Sequence, residues 1–333
     1  ARFCAEPSVL RMLGLLLAGQ LAGLQTPVLV VGHQNPDTDS IISALALTSL
    51  LRAQGVQAQA IAQGSPNAET AYVLKRCGLP TPAVQTTVAA TQAVMLVDHS
   101  DAALAPEGVT PRNLVGIVDH HKLGGLQSDA PLLVRMEPLG STATVLKPLF
   151  GSAAVPITPP LACGLLAAIL SDTRGLTSPT TTALDRDSAG QLAKIAGIAD
   201  PGAMASHMLE AYASAMARMD DSTLINTDFK RFAIGSLNVG VAQVEAPDIG
   251  FVMQRSQSLL EVMERQRRQQ GLHTLLLLAT DVPRQGSELL VVSAEPQRIA
   301  SRFGVTLQQG RAWVPGLMSR KRQVVPVLLQ ELR

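Results

Sequence analysis

Three short apolar runs in the first part of the chain stop abruptly in charge. "VLVVGH" (28–33), "AVMLVDHS" (93–100) and "NLVGIVDHH" (113–121) are rich in Val, Leu, Ile and Met, and each runs into His or Asp. A run that is apolar at successive positions suits a strand buried on both faces. Helical spacing separates and follows these runs, as in "DSIISALALTSLLRAQG" (39–55), "NAETAYVLKRCG" (67–78) and "PPLACGLLAAILSDT" (159–173). Buried strands alternating with helices predict an α/β fold with a doubly wound, mostly parallel sheet. In such a sheet ligands bind at the carboxyl ends of the strands. Whatever charge the strands deliver is therefore gathered along one edge.

The pattern changes after about residue 220. "RFAIGSLNVGVAQVEA" (231–246) reads as a hairpin around Gly-Ser, "MQRSQSLLEVMERQRRQQG" (253–271) as an amphipathic helix, and "HTLLLLATDV" (273–282) and "ELLVVSAEP" (288–296) as strands. The 333 residues are thus expected to form a larger domain over 27–210, a connector over 211–221 and a smaller α/β domain over 222–333. Residues 1–26 stand apart as an N-terminal extension, an extra helix or a leader. Their apolar stretch is interrupted by Arg11, Gln20 and Gln25 and is too short to span a membrane.

Charge and cysteine usage narrow the field. The formal charge is +1 with both signs interspersed, and only 3% of residues are aromatic. That argues against a nucleic-acid partner, which would ask for a basic field with interleaved aromatics. Cys4, Cys77 and Cys163 are odd in number, far apart and without a CxxC spacing. The expectation is no disulfide framework, no zinc–thiolate site, and a reducing, cytoplasmic setting.

The three runs would bring His33, Asp37 and Asp39, then Asp98, then Asp119, His120 and His121 to one edge, with Asp172 joining from "AAILSDT". Crowded carboxylates repel, and some would have to take up protons. Divalent cations remove the conflict, and mixed imidazole–carboxylate ligation suits Mn, Fe, Co or Zn better than Ca or Mg. Two cations sharing a carboxylate, about 3.5–4 Å apart, would make a hydrolytic centre. Each residue also has a plainer use. Asp37 or Asp39 alone could cap the helix beginning near Ser40, and His99 reads as a surface loop residue. Gly32 is expected to free the backbone for a tight loop that Pro36 stiffens and Asn35 holds by side-chain hydrogen bonds.

"GHQNPDTDS", "VDHS", "VDHHK", "SDT" and the distal "LMSRKRQVVPVL" (317–328) resemble the family II, manganese-dependent inorganic pyrophosphatases of the DHH phosphoesterase superfamily. The resemblance implies a two-domain hydrolase with its site in the cleft between the domains. It implies that pyrophosphate is cleaved to two phosphates by a hydroxide bridging two metals. Carried over by motif, His33 and Asp37 would bind one Mn²⁺, Asp39, His120 and Asp172 the other, and Asp98 both. His121 would face the substrate as a proton or hydrogen-bond donor, with Asp119 orienting a histidine. Lys230, Arg320 and Lys321 would grip phosphate oxygens, Arg231 competing with Lys230.

Co²⁺ would substitute for Mn²⁺, Mg²⁺ would arrive with the substrate, and the protein would be a homodimer. Ser141 stands where many members carry Cys, and Arg174–Thr177 and the glycines of "DHHKLGG" also depart from the pattern. Two rivals stand beside this reading. One is a sister exopolyphosphatase or an oligonucleotide or cyclic-dinucleotide phosphodiesterase. The other is a non-enzymatic, metal-dependent sensor on the same scaffold.

Overall fold

A computed structural model of the protein describes residues 26–331. The helix or leader expected before residue 27 lies outside the described residues. Two compact units divide at Met208/Leu209.

The first unit is built on six parallel strands: β1 Val28–Val31, β2 Ala58–Ala62, β3 Ala83–Val84, β4 Val94–Val97, β5 Leu114–Asp119 and β6 Leu133–Met136. Their order is β3-β2-β1-β4-β5-β6. This is the doubly wound order, and the winding reverses between β1 and β4, where an open α/β sheet leaves its crevice. The apolar runs do behave as double-faced strands. Val28, Val30, Met95 and Val97 enter one core, while Leu29, Val31, Val94 and Leu96 enter the other.

Helices α1 Thr38–Ala53, α2 Ala68–Cys77, α3 Thr142–Ser152, α4 Pro159–Asp172 and α5 Ala183–Ala196 all bury residues in the first of these cores. The opposite face is covered by loop residues such as Val88, Ala105, Val109 and Leu126. The chain between β4 and β5 contains a single 3₁₀ turn, Ala102–Leu104, in place of an α-helix.

Gly32 serves by its size. Its φ is not in the left-handed region, but a Cβ there would lie 1.9 Å from Ser40 Oγ on α1. The backbone freedom expected of Gly32 falls to Asn35 instead, which takes φ 53°. The turn thus presses β1 directly onto the start of α1.

The cysteine expectation is overturned. Cys77, the last residue of α2, forms a disulfide with Cys163 in α4, their Cα atoms 5.5 Å apart. Spacing along the chain could not reveal this, because the pairing is made by two helices packed on one sheet face.

Helix α6, Pro201–Ala217, carries the chain past the division, with Met204 and Met208 in the first unit's core and Ala213 and Met216 in the second's. The second unit continues with α7 Asp221–Thr227, the hairpin β7 Phe229–Ile234 and β8 Leu237–Ala246, α8 Gly250–Gln254 and α9 Ser256–Gln269. Strands β9 Thr274–Asp281 and β10 Gly286–Ser293, helix α10 Pro296–Ser301, strand β11 Arg311–Pro315 and helix α11 Val325–Glu331 complete it. Its sheet runs β11-β10-β9-β8-β7 and is antiparallel except between β8 and β9. One face packs on α9 residues Leu259 and Met263, the other on Ile299 of α10 and on Leu317, Val324 and Leu328. Among the described residues no helix is long and apolar enough to cross a membrane.

Candidate metal centre

The donors collect at the carboxyl ends of β1, β4 and β5, around the point where the sheet's winding reverses. Asp37 is the N-cap of α1, its Oδ1 accepting from Ser40 N at 3.0 Å. Its Oδ2 lies 3.5 Å from His33 Nε2. Capping and ligation are therefore not alternatives here, because each uses a different oxygen. Asp39, two positions further along the helix start, is fully buried and turned the other way. Its Oδ1 accepts from Ser141 Oγ at 2.9 Å and Ala143 N at 3.1 Å, and its Oδ2 from Thr142 N at 2.6 Å. A carboxylate at the N-terminus of α3 is held there by free backbone N–H groups and the helix dipole.

Asp98 sits between the two histidines. Its Oδ2 is 3.3 Å from His33 Nε2 and its Oδ1 is 3.4 Å from His120 Nε2. Asp172, the last residue of α4, approaches His120 Nε2 at 3.3 Å. One donor atom each from His33, Asp37 and Asp98 lie within 4.8 Å of one another, and so do those from Asp39, Asp98, His120 and Asp172. Asp98 belongs to both sets, and to a third with His120 and His121.

The imidazoles are aimed. His33 Nδ1 donates to Gln34 O at 2.8 Å and His120 Nδ1 to Leu139 O at 3.0 Å. In the neutral ring that tautomer leaves Nε2 free to act as a ligand. His120 Nε2 is buried and faces only the carboxylates of Asp98 and Asp172 named above. His121 is different: its side chain is 52% exposed, against 13% for His120. Its Nδ1 is 3.0 Å from Asp119 Oδ1, which also accepts from the backbone N–H of His120 and His121. Burial opposes ionisation of Asp119, but these bonds to His121 outweigh it and hold its carboxyl below the usual range.

Electrostatics say what the cluster lacks. Burial and the neighbouring Asp98 raise Asp39 to about 7. Burial and Asp39 raise Asp172 well above the usual carboxylate range. Burial works against the imidazolium of His33, yet bonds to Asp37 and Asp98 push it up to about 11. His120 is pushed up to about 12 by Asp172 and Asp98, again against burial. Burial would raise Asp98, but His120 and His33 outweigh it and hold its carboxyl down. Four carboxylates cannot share this space unless positive charge, as protons or as cations, sits among them. Oxygen and imidazole donors in two overlapping sets, with buried Nε2 atoms aimed at carboxylates, fit divalent ions of the manganese type.

Several supporting residues had no signal in the sequence reading. Thr142 holds two carboxylates at once, its N–H on Asp39 and its Oγ1 on Asp98 Oδ1 at 3.0 Å. Ser141, noted only as a departure, is a direct donor to Asp39. Glu69 ties α2 to the site by accepting from Thr38 Oγ1 at 2.7 Å and from Ser171 Oγ. An N-cap Ser-Thr before a helix was the only available clue, and it looks alike at any helix start. His99 is not at the surface as expected: it is 2% exposed. The glycines of "DHHKLGG" have two different reasons: a Cβ on Gly124 would lie 2.3 Å from Ser100 O in the loop after β4, while Gly125 has open space but takes φ 80°. Beyond Asp172 the backbone turns through three left-handed residues, Arg174 (φ 50°), Gly175 (φ 64°) and Leu176 (φ 67°).

The basic candidates lie in the second unit. Arg320 opens a π-helical turn, Arg320–Val324, capped by Ser319, whose Oγ accepts from Arg322 N at 3.2 Å. Such turns often mark functional positions. The Arg320 guanidinium is nearly buried and bound by Asp228, through O at 2.7 Å and Oδ1 at 2.9 Å. Lys321 is exposed. Lys230 and Arg231 point to opposite faces of β7. Arg231 donates to Gln270 O at the end of α9, whereas Lys230 shares its face with Phe232 and Ile234, on which Leu317 and Val324 pack. Of the two, Lys230 is thus the one on the Arg320 side of the sheet.

The chain is similar to known proteins along most of its length. Residues 27–169 match the DHH family, N-terminal domain, and residues 207–330 the DHHA2 domain. A probable manganese-dependent inorganic pyrophosphatase of Archaeoglobus fulgidus is 39% identical, over 90% of this chain and 97% of its own length. A manganese-dependent inorganic pyrophosphatase of Methanocaldococcus jannaschii is 36% identical, over 90% and 97%. A crystal structure from Methanococcus jannaschii, assigned to the family II inorganic pyrophosphatases, superposes with a TM-score of 0.71 at 36% identity, covering 91% of this chain and 99% of that one. An exopolyphosphatase-related protein from Bacteroides fragilis shares the fold at 15% identity, with a TM-score of 0.53 over 98% and 96% of the two chains.

Proposed function

The chain belongs to the manganese-dependent inorganic pyrophosphatases, and from that membership we infer that it hydrolyses inorganic pyrophosphate to two phosphates at the carboxylate–imidazole centre of its DHH domain. The observation that carries the reading is Asp98, one buried carboxylate with an oxygen in each of two donor sets.

In this proposal His33, Asp37 and Asp98 hold one Mn²⁺, and Asp39, Asp98, His120 and Asp172 the other. Bound Mn²⁺ supplies charge neutralisation and a water acidified toward neutral pH, with Co²⁺ able to replace it. The rest is done by the chain. His33 and His120 offer Nε2 because their Nδ1 protons are committed to carbonyls. His121 is turned by Asp119 so that its outer nitrogen meets a phosphate oxygen, to which it donates a hydrogen bond or a proton as the phosphate leaves. Arg320, already oriented by Asp228, offers its remaining N–H groups to phosphate as a planar fork, while Lys230 and Lys321 act as point charges. Together they hold the negative charge that grows as the P–O bond breaks.

The substrate is proposed to bring Mg²⁺, and the protein to act as a homodimer with neither nucleic acid nor membrane as partner. A cytoplasmic setting is also proposed.

The test is phosphate release after chelation and restoration with Mn²⁺, Co²⁺ or Mg²⁺, on pyrophosphate, tripolyphosphate and a short oligonucleotide. Mn²⁺- or Co²⁺-restored release from pyrophosphate is expected, with Asp98→Asn reducing it by more than about 100-fold, beyond the usual cost of losing a residue that only supports a ligand. Release confined to the longer substrates would overturn the pyrophosphatase reading.

A further inference from the structure

His99 takes no part in the chemistry above, yet it is 2% exposed and adjoins the carboxylate on which both donor sets depend. Its surroundings explain why. β4 ends at Val97, and Asp98 then takes φ 63°, a left-handed conformation that few residues other than glycine adopt. Along β4, Val94 and Leu96 face the core that contains Val88 and Ala105. An extended residue 98 would follow them onto that apolar face, because side chains alternate along a strand. The left-handed turn breaks the alternation and leaves the carboxylate at the end of the sheet, 3.3 Å and 3.4 Å from the two histidine Nε2 atoms.

A strained turn persists only where its neighbours over-determine it. Asp98 N donates to Val118 O at 3.0 Å, and Thr142 Oγ1 holds the carboxylate from the far side. The remaining brace is His99, whose Nδ1 donates to Val97 O at 3.0 Å and so ties together the two residues flanking the turn. Its ring also stands edge-on to His33, with centroids 6.3 Å apart at 83°.

We propose that His99 is a positioning residue for the metal centre: its hydrogen bond to the Val97 carbonyl fixes the left-handed turn at Asp98 and its ring backs His33, so that one carboxylate serves both ions. This rests on the reading of Asp98 as a shared metal ligand. The role belongs to the Nδ1–H group and not to the ring's volume, which gives the proposal a sharp test. His99→Asn places an amide N–H near the Nδ1 position, whereas His99→Phe fills the space without a donor.

The experiment is titration of chelator-stripped, full-length protein with Mn²⁺, reading free Mn²⁺ by electron paramagnetic resonance, together with melting of the metal-free protein. His99→Phe is expected to weaken Mn²⁺ binding by about 10–100-fold, and His99→Asn by less than about threefold, with metal-free melting similar in both. Equal binding by His99→Phe and the parent overturns the proposal, as does His99→Asn failing as badly as His99→Phe. Should His99→Phe not fold by circular dichroism, His99→Gln, whose amide reaches past the Val97 carbonyl, takes its place under the same criteria. A parent protein that binds no Mn²⁺ would instead overturn the metal centre itself. Phosphate release does not enter this measurement, so failure on pyrophosphate as substrate is told apart from failure here.

Discussion

Asp39 accepts three of its hydrogen bonds from the first residues of α3, so the placing of this proposed metal ligand depends on a helix start more than 100 positions away. Ser141→Ala removes the hydroxyl while leaving both backbone donors. It should weaken Mn²⁺ binding or activity by about 10–100-fold, and Ser141→Cys, with its weaker S–H donor, should fall between. Equilibrium dialysis of the three proteins checks the order. The protons now shared among these residues give a second expectation. His33 titrates near 6.5 when unfolded and near 11 when folded without metal, so the folded state binds more protons. Its stabilising contribution is complete below pH 6.5 and is lost as the pH climbs toward 11. Asp39, raised from 3.8 to about 7, acts in the same direction at lower pH. Chelated protein should therefore melt at lower temperature as pH rises from 6.5 to 10, and Mn²⁺ should reverse the trend, because its binding requires those protons to leave. Melting scans at several pH values with and without Mn²⁺ read both. The donors themselves were legible in the sequence because Asp and His recur at strand ends, where apolar residues would otherwise continue. Ser141, Thr142 and His99 were not, since a hydroxyl or a ring that braces a ligand leaves no periodic or spacing signal.

Elements with strong periodicity were read closely: β1, β4, β5 and α1 fall within a few residues of expectation. The short or half-exposed strands β3, β6 and β11 were missed, and their sequences show why. β3 is two residues long, and β6 reads "LVRM" with none of its four residues fully buried. A run that neither alternates nor stays apolar has no strand signature. The staple between α2 and α4 was misread for a different reason. Cys77 and Cys163 are 86 residues apart, and only the packing of two helices on one sheet face brings them together. Cross-linking so long a loop should stabilise the oxidised protein by about 2–4 kcal/mol over Cys163→Ala. Denaturant unfolding with and without reductant measures it, and the difference should vanish in the reduced parent. Because α4 ends at Asp172, the same comparison repeated with Mn²⁺ present shows how far the staple steadies that ligand.

Across the whole molecule, the alternating pattern before residue 210 and the changed pattern after 220 announced two units, and the structure has two. What the pattern did not reveal was that the first unit's second face is covered by loops, because covering loops share no period. The division of labour makes one further expectation. All donors in the two metal sets lie between His33 and Asp172, while Lys230, Arg320 and Lys321 lie beyond the division. Arg320→Lys should lower kcat/KM by about tenfold through loss of the planar fork, yet leave Mn²⁺ affinity unchanged. Steady-state kinetics beside metal titration separates the two effects.

Synthesis reads the chain in one direction. Every atom that would hold an ion is made by Asp172, and the Arg320–Val324 turn follows well over a hundred residues later. A ribosome therefore completes the ion-holding half first. A translation product that stops between the halves would carry the proposed metal ligands but not the cations proposed to grip phosphate, and on that proposal hydrolysis would wait until the distal turn has been made.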